Sequence, residues 1–538
     1  MNKNNPIFSL KNFRSFGDEG ADFELAPITI LTGCNSAGKS SLVKALMLLS
    51  EKETNNTVGG IQFSQNLKLS TKTLGLGGYN SVAHEDGKIT MSYRIWCADL
   101  QEEIIVTRVF CAKRSDALNE GKLYQLTVEK ADGTLIYQVG PDSSLGLLMP
   151  NPNPIAIKDQ FFKFYAVGSY LKLMERMPFI MKRENEANND GDSKQIIHSQ
   201  SALSLVKKRL KTADVSESEA VLLGKEFHHK TFAEIINATK LVERDIIRVS
   251  DLLKNEEDDD DDWKQMREAF ISCVVNDACS PFFTQQIAYI NSASAQISRL
   301  YPSEDNNKIS KALRVFNERN ICYNQYCDIS SSSVIHRPGS FMNRWIKKFE
   351  IGDSVEVKGT DEGLGLLIFL KNGKTKRLLA DEGYGITQLL SLLMHIDNSI
   401  PVFFEPYMES LQGEWSHEYK PQTICVEEPE IHLHPKYQSL LAEMFVEAYQ
   451  KYNIHFIIET HSEYLIRKLQ VMVADKENTL TADDVSLNYI EKDENGVSKN
   501  RQINIDEHGD LSEPFGSGFY DEADILAIQL FRNKPILS

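Results

Sequence analysis

The sequence predicts an α/β fold in which a long insertion splits a parallel-sheet core. Three runs predict it. Gly33-Cys34-Asn35-Ser36-Ala37-Gly38-Lys39-Ser40 fits the G-x-x-x-x-G-K-[ST] phosphate loop. Far downstream, the apolar run Thr423-Ile424-Cys425-Val426 ends in two carboxylates, Glu427-Glu428. A further apolar run, Ile454-His455-Phe456-Ile457-Ile458, ends in Glu459-Thr460-His461-Ser462.

The loop has the flanks its chemistry needs. Before it, Pro27-Ile28-Thr29-Ile30-Leu31-Thr32 is apolar and β-branched, as a buried strand is. After it, Leu42, Ala45, Leu46 and Leu49 share one helical face. Gly33 and Gly38 permit backbone angles closed to other residues and let main-chain N–H groups approach phosphate oxygens. The helix N-terminus adds partial positive charge. Lys39 is expected to reach the β- and γ-phosphates, and the Ser40 hydroxyl to ligate Mg²⁺.

Residues 88–140 hold four strand patterns separated by turns such as Ala131-Asp132-Gly133. Residues 145–156, rich in Pro and Asn, read as a connector. From about residue 157 to 320 the pattern is largely helical, with an exposed loop at 183–194. The acids at 256–262, beside Trp263, read as a solvated run, with mimicry of nucleic acid or docking of a basic partner as the alternative. Tyr289-Ile290-Asn291 and Arg299-Leu300-Tyr301 return the chain to the core.

Leu378-Leu379-Ala380-Asp381-Glu382-Gly383-Tyr384-Gly385-Ile386-Thr387-Gln388 then opens a helix with the stripe Leu389, Leu392, Leu393 and Ile396. A second glycine-rich helix start is a second phosphate-facing N-terminus. It is most simply explained if it faces the nucleotide of a partner subunit. At the acidic strand, Glu427 can hold Mg²⁺, directly or through water, and Glu428 can polarise the attacking water. His461, on the neighbouring strand end, can hydrogen-bond the γ-phosphate or that water. His432 and His434 lack further ligands at zinc spacing and read as a loop at the nucleotide edge.

The order of these segments resembles the ABC-type ATPases of the SMC/Rad50/RecF group and the overcoming-lysogenization-defect (OLD) ATPases. Leu10-Lys11-Asn12-Phe13-Arg14-Ser15-Phe16 and Glu427-Glu428-Pro429-Glu430-Ile431-His432-Leu433-His434-Pro435 carry it further. The resemblance implies an ABC-type ATPase head with a P-loop core, an antiparallel β subdomain and an inserted helical lobe. It implies Walker A at Gly33, Asn35, Ser36, Ala37, Gly38, Lys39, Ser40 and Ser41, and a signature at Gly383, Gly385, Thr387 and Gln388 that completes the partner's site. Walker B would be Glu427 and Glu428, with Glu428 the catalytic base; His461 would be the switch histidine, and Glu430 and His432 would lie in the D-loop. ATP and Mg²⁺ would be the cofactors, with two nucleotides sandwiched between two heads.

Three positions depart from the family pattern. Glu427 stands where Asp is usual; Cys34 and Ser36 replace Pro or Gly; and the Q-loop glutamine has only Gln62 and Gln65 as candidates. Slow ATP hydrolysis is the expectation. About 70 residues follow His461, with a hairpin pattern around 485–491 and 501–506 and no Asp-x-Asp element, too little for a Toprim nuclease. The chain therefore looks like the Toprim-less Septu-type ATPases of anti-phage defence, also found with retrons. That implies a separate HNH nuclease as partner, and in retrons a reverse transcriptase with its DNA product. The alternative is a RecF-like repair or recombination ATPase that binds DNA itself.

Composition sets outer limits. The chain has 538 residues, 41% of them hydrophobic, and no apolar run of the ~18 residues that would suggest a membrane span. Met1-Asn2-Lys3-Asn4-Asn5 lacks the apolar stretch of a signal peptide. The eight cysteines are scattered, and Cys322 and Cys327 have no matching second pair, so a reduced, cytoplasmic protein is expected. A net charge of −17 argues against a surface that coats nucleic acid broadly. Two local basic patches, Lys207-Lys208-Arg209 with Lys211 and Arg344-Trp345 with Lys347-Lys348, read first as solvated helix faces.

The expected domains are 1–145, the first half of the head with the β subdomain, and 146–320, the helical insertion. Residues 321–470 would hold the second half of the head, and 471–538 a short α+β tail.

Overall fold

A computed structural model describes residues 5–50, 67–69, 75–84, 87–97, 102–112, 120–141, 148–150, 287–291, 299–302, 308–326, 336–360, 365–400, 402, 423–516 and 519–532. The expectations for the loop at 183–194, the basic patch at 207–211, the acids at 256–262, Gln62 and Gln65 lie outside the described residues. So does most of the helical insertion.

The elements run in order as β1 (Ile7–Lys11), β2 (Ala21–Glu24), β3 (Ile28–Gly33), α1 (Lys39–Ser50) and β4 (Leu67–Lys68). Next come β5 (Lys88–Cys97), β6 (Glu102–Cys111), β7 (Glu120–Lys130), β8 (Leu135–Pro141) and β9 (Leu148–Pro150). Then follow β10 (Ala288–Ile290), β11 (Tyr301–Pro302), α2 (Lys308–Tyr326), α3 (Ser340–Lys348), β12 (Ser354–Gly359), β13 (Gly365–Asn372) and β14 (Thr375–Leu378). The chain continues through α4 (Tyr384–Ser399), β15 (Thr423–Glu427), α5 (Pro435–Tyr452), β16 (His455–Glu459) and α6 (Glu463–Ala474). It closes with β17 (Val485–Lys492), β18 (Ser498–Ile503) and α7 (Glu522–Arg532).

The central sheet has the order β10-β15-β16-β3-β17-β18. Its strands are parallel except β18, which turns back on β17. Both faces are covered, so β3 is buried at every position, as parallel strands are. Side chains alternate between the faces. Leu31, Cys425, Ile457 and Ile490 pack with Leu42, Ala45 and Leu46 of α1. Ile30, Val426, Ile458 and Leu487 pack with residues of α4, α5 and α6. The stripe read from the sequence of α1 is thus the face that meets the sheet.

The four strands expected between residues 88 and 140 are β5 to β8. They join β1, β2, β9 and β4 in an antiparallel sheet of order β2-β1-β5-β6-β7-β8-β9, with β4 on β7. A third, four-stranded sheet, β11-β13-β12 with β14 on β13, has no counterpart in the sequence reading. It leads directly into α4. The expected C-terminal hairpin is β17–β18, and it extends the central sheet beside β3.

Buried charge fixes the helices behind the sheet. The N-terminus of α3 follows Gly339, which offers no side-chain cap. Asp397 of α4, fully buried, supplies one: Gly339 N–H (2.7 Å) and Met342 N–H (3.2 Å) donate to its carboxylate. His336 lies against the same carboxylate at 3.2 Å. On α3 itself, Trp345 is buried, while Arg344 pairs with Glu447 and Lys348 with Glu443. The basic patch read there is an exposed helix face, as Arg344, Lys347 and Lys348 are all exposed, and its aromatic is buried beneath it. Among the described residues no helix is long and apolar enough to cross a membrane.

His455, at the start of β16, gives one pH-dependent term. Burial lowers its imidazole to about 4, against the opposing pull of Asp484. The folded state therefore favours the neutral ring. Its contribution is full above pH 6.5, the unfolded value, and is lost as pH falls through 4. Urea unfolding of wild type and His455→Gln from pH 7 to 4 should show the variant losing less stability, by up to about 3 kcal/mol. Parallel curves would mean that His455 carries no such term.

Candidate functional site

Open α/β sheets bind ligands beyond the carboxyl ends of their parallel strands. At that edge β3 runs into the phosphate loop, β15 into Glu427-Glu428 and β16 into Glu459-Thr460-His461. Gly33 (φ +129°) and Gly38 (φ +109°) hold angles that only glycine adopts without strain. A Cβ on Gly33 would meet the Ile490 carbonyl oxygen at 2.0 Å, and one on Gly38 the Ser15 Oγ at 2.4 Å. Cys34, Asn35 and Ser36 are exposed at the tip, and Ala37 and Ser41 are buried behind it.

Lys39 is buried, and its Nζ donates to the carbonyls of Gly33 (3.3 Å) and Cys34 (3.0 Å). Burial lowers its pKa, while the nearby charges of Glu459, Glu428 and Glu430 raise it. Ser40 Oγ donates to Glu459 Oε2 at 2.8 Å. β15 and β16 place Glu427 opposite Glu459 in register. Burial, with the Glu427 charge adding to it, pushes the Glu459 carboxyl up to about 7. Tyr289 of β10 hydrogen-bonds Glu427, and burial raises its phenol pKa.

Glu428 sits at φ +45°, a left-handed angle uncommon for a residue with a Cβ. Its backbone is fixed on both sides. Its N–H donates to the Glu459 carbonyl at 2.7 Å, and its own carbonyl accepts from Gln388 Nε2 at 3.2 Å. His461 N–H donates to Glu430 Oε1 at 2.7 Å, which ties the two strand-end loops together. Partial burial and the Lys39 charge lower the His461 pKa, so its ring is neutral at pH 7. His432 packs its ring edge on Tyr384 at 5.1 Å, and His434 caps α5 by accepting from Lys436 N–H.

At the start of α4, Gly383 is exposed and no side chain caps the helix. Gly385 lies so close to His432 that a Cβ would stand 2.6 Å from its carbonyl oxygen. Thr387 and Gln388 turn inward, only 1% and 6% exposed. Thr387 Oγ1 donates to Gly383 O, and Gln388 serves its own chain's Glu428. The exposed turn at Gly383 is the most open part of this segment.

Two sets of residues escaped the sequence reading. Glu459 has no role in the sequence reading, yet its strand-end position matches that of Glu427, a signal that only register makes explicit. The other set is the C-terminal hairpin, which forms one wall of the phosphate loop. Ser498 Oγ donates to Ala37 O at 2.5 Å, Ser498 N–H to Ser15 O at 2.8 Å, and Tyr489 hydrogen-bonds Cys34. No local pattern marks a serine hundreds of residues from the loop it holds.

A loop of main-chain N–H groups, a buried lysine and a hydroxyl beside two carboxylates suits a phosphate chain with a hard cation. The AAA ATPase domain family matches residues 7–466, most of the chain. The chain belongs to that family. Within this AAA ATPase domain protein, residues 480–530 match a second family, described as a protein of unknown function (DUF3696). No curated protein matches its sequence. Among solved structures it is similar to an SmcHead bound to the C-winged helix domain of ScpA. That match has 11% identity and a TM-score of 0.41, over 93% of this chain and 98% of the other. It is also similar to an Smc head domain with an extended coiled coil from Pyrococcus furiosus, at 13% identity, TM-score 0.35, 98% and 99% covered. The SMC head domain from Thermotoga maritima matches at 12% identity and a TM-score of 0.32, with 93% and 99% covered.

Proposed function

We propose that this ATPase domain protein binds ATP with Mg²⁺ at the carboxyl edge of its central sheet and hydrolyses it slowly. One observation carries the reading: Lys39 and Ser40 of the phosphate loop lie in the same cluster as the strand-end acids Glu428 and Glu459. Gly33, Asn35, Ser36, Ala37, Gly38, Lys39, Ser40 and Ser41 cradle the phosphates, and Mg²⁺ would be held by Ser40 and Glu427. The cation supplies charge neutralisation on the phosphate oxygens. Glu428 accepts a proton from the attacking water, and the neutral His461 hydrogen-bonds the γ-phosphate or that water. Gly383, Gly385, Thr387 and Gln388, at the start of α4, complete the nucleotide site of a second copy, which makes the active form a homo-oligomer joined through its heads.

Lys39→Ala should weaken ATP binding at least tenfold in calorimetric titration, because a charge-assisted contact is lost. Unchanged affinity would move the nucleotide elsewhere.

The order of motifs favours a cytoplasmic role in anti-phage defence. In that reading, of Septu or retron type, nucleotide-dependent head association holds or releases a separate HNH nuclease. A reverse transcriptase and its DNA product would join in the retron form. The RecF-like alternative needs a DNA-binding surface, and the net charge of −17 weighs against a broad one. Tagged purification with mass spectrometry decides between them. A co-purifying nuclease supports the defence reading. A lone protein whose ATP hydrolysis requires added DNA supports the RecF-like one.

A further inference from the structure

We infer that Glu459 is a third protein anchor, with Ser40 and Glu427, for the divalent cation that accompanies the nucleotide phosphates. The inference rests on the Mg²⁺–ATP reading and assigns it a residue. The direction of the side chains comes first. Cys425 and Ile457 both pack into the cluster that contains α1. Glu427 and Glu459 lie two residues further along the same strands, so they project to the same face. Ser40 stands there, in the first turn of α1, and its hydroxyl already donates to Glu459 at 2.8 Å. Oxygens from three separate elements thus converge on one place.

The chemistry matches a hard cation. Mg²⁺ takes oxygen ligands, keeps several waters and is bound through one or two carboxylates together with substrate phosphates. Two carboxylates facing each other, one of them only 7% exposed, repel unless a cation or a proton intervenes. Lys39, whose charge acts on Glu459, spends its ammonium on two loop carbonyls. The Tyr289 phenol serves Glu427 instead. A cation placed between Ser40, Glu427 and Glu459 relieves the repulsion. It also displaces the Ser40–Glu459 hydrogen bond, so that metal and phosphates arrive at a site already aligned.

The test titrates the full chain, wild type and Glu459→Gln, with a fluorescent ATP analogue, with and without Mg²⁺. Mn²⁺ affinity is measured in parallel by electron paramagnetic resonance. The expected result is a variant that binds metal-free nucleotide within about twofold of wild type. It should lose ten- to a hundredfold in Mn²⁺ affinity and most of the Mg²⁺-dependent gain, the loss usual when metal-site residues are removed. A variant with the wild-type Mg²⁺ gain and Mn²⁺ affinity overturns the assignment while leaving the nucleotide site intact. A wild-type protein that binds no nucleotide under either condition overturns the site reading and this assignment with it. If Glu459→Gln also loses metal-free binding, Glu459→Asp decides. It keeps the charge on a shorter arm, so weakened Mn²⁺ binding supports the assignment and wild-type Mn²⁺ binding overturns it.

Discussion

Glu428→Gln is expected to lower ATP turnover by two to four orders of magnitude, the range a general base contributes, while ATP stays bound. The substitution removes the proton acceptor and keeps the side chain's shape. It leaves alone the backbone bonds to Glu459 and Gln388 that hold the loop. With ATP trapped, the head-to-head assembly should accumulate, visible as a higher-mass species in light scattering with ATP and absent without it. Turnover near wild type would mean that another group takes the proton. Loss of ATP binding would mean that Glu428 supports the loop and not the water.

Gly33→Ala is expected to be the most damaging single methyl group at the site. The residue sits at φ +129°, and the added Cβ would lie 2.0 Å from the Ile490 carbonyl oxygen, far inside contact distance. That oxygen belongs to the backbone of β17, which pairs with β3 in this register, so neither strand can shift without breaking the ladder. Strained backbone of this kind costs about 1–3 kcal/mol, and the overlap adds to it. Calorimetry should show a melting point lower by several degrees, with ATP no longer raising it. An unshifted melting point would show that the loop relaxes freely and that the close packing of β3 and β17 is not essential.

The strand ends that carry the proposed site were legible because their patterns are local. The phosphate loop, Glu427-Glu428 and His461 each occupy a contiguous strand end, and apolar runs announce the strands. The antiparallel strands β5 to β8 were legible for the same reason. The sheet of β11 to β14 was missed because only β13 has an apolar run, while its partners β12 and β14 have no buried position that would mark them as strands. Pairings between distant residues were missed too. Ser498 at the phosphate loop and the capping of α3 by Asp397 depend on which elements become neighbours, and no spacing within a segment encodes that. The hydrogen bond from Gln388 to the Glu428 carbonyl is of the same kind: a glutamine near a helix start reads alike whether it faces solvent or its own chain.

The strand that feeds the phosphate loop has both of its neighbours, β16 and β17, in the last fifth of the sequence. During synthesis, β3 leaves the ribosome with two open edges and waits while several hundred residues are added. Unpaired strand edges are sticky, and contacts so far apart in sequence form slowly. The earliest-made part of the proposed nucleotide site is thus the last to be completed: the phosphate loop lacks one of its walls until β17 has been translated and docked.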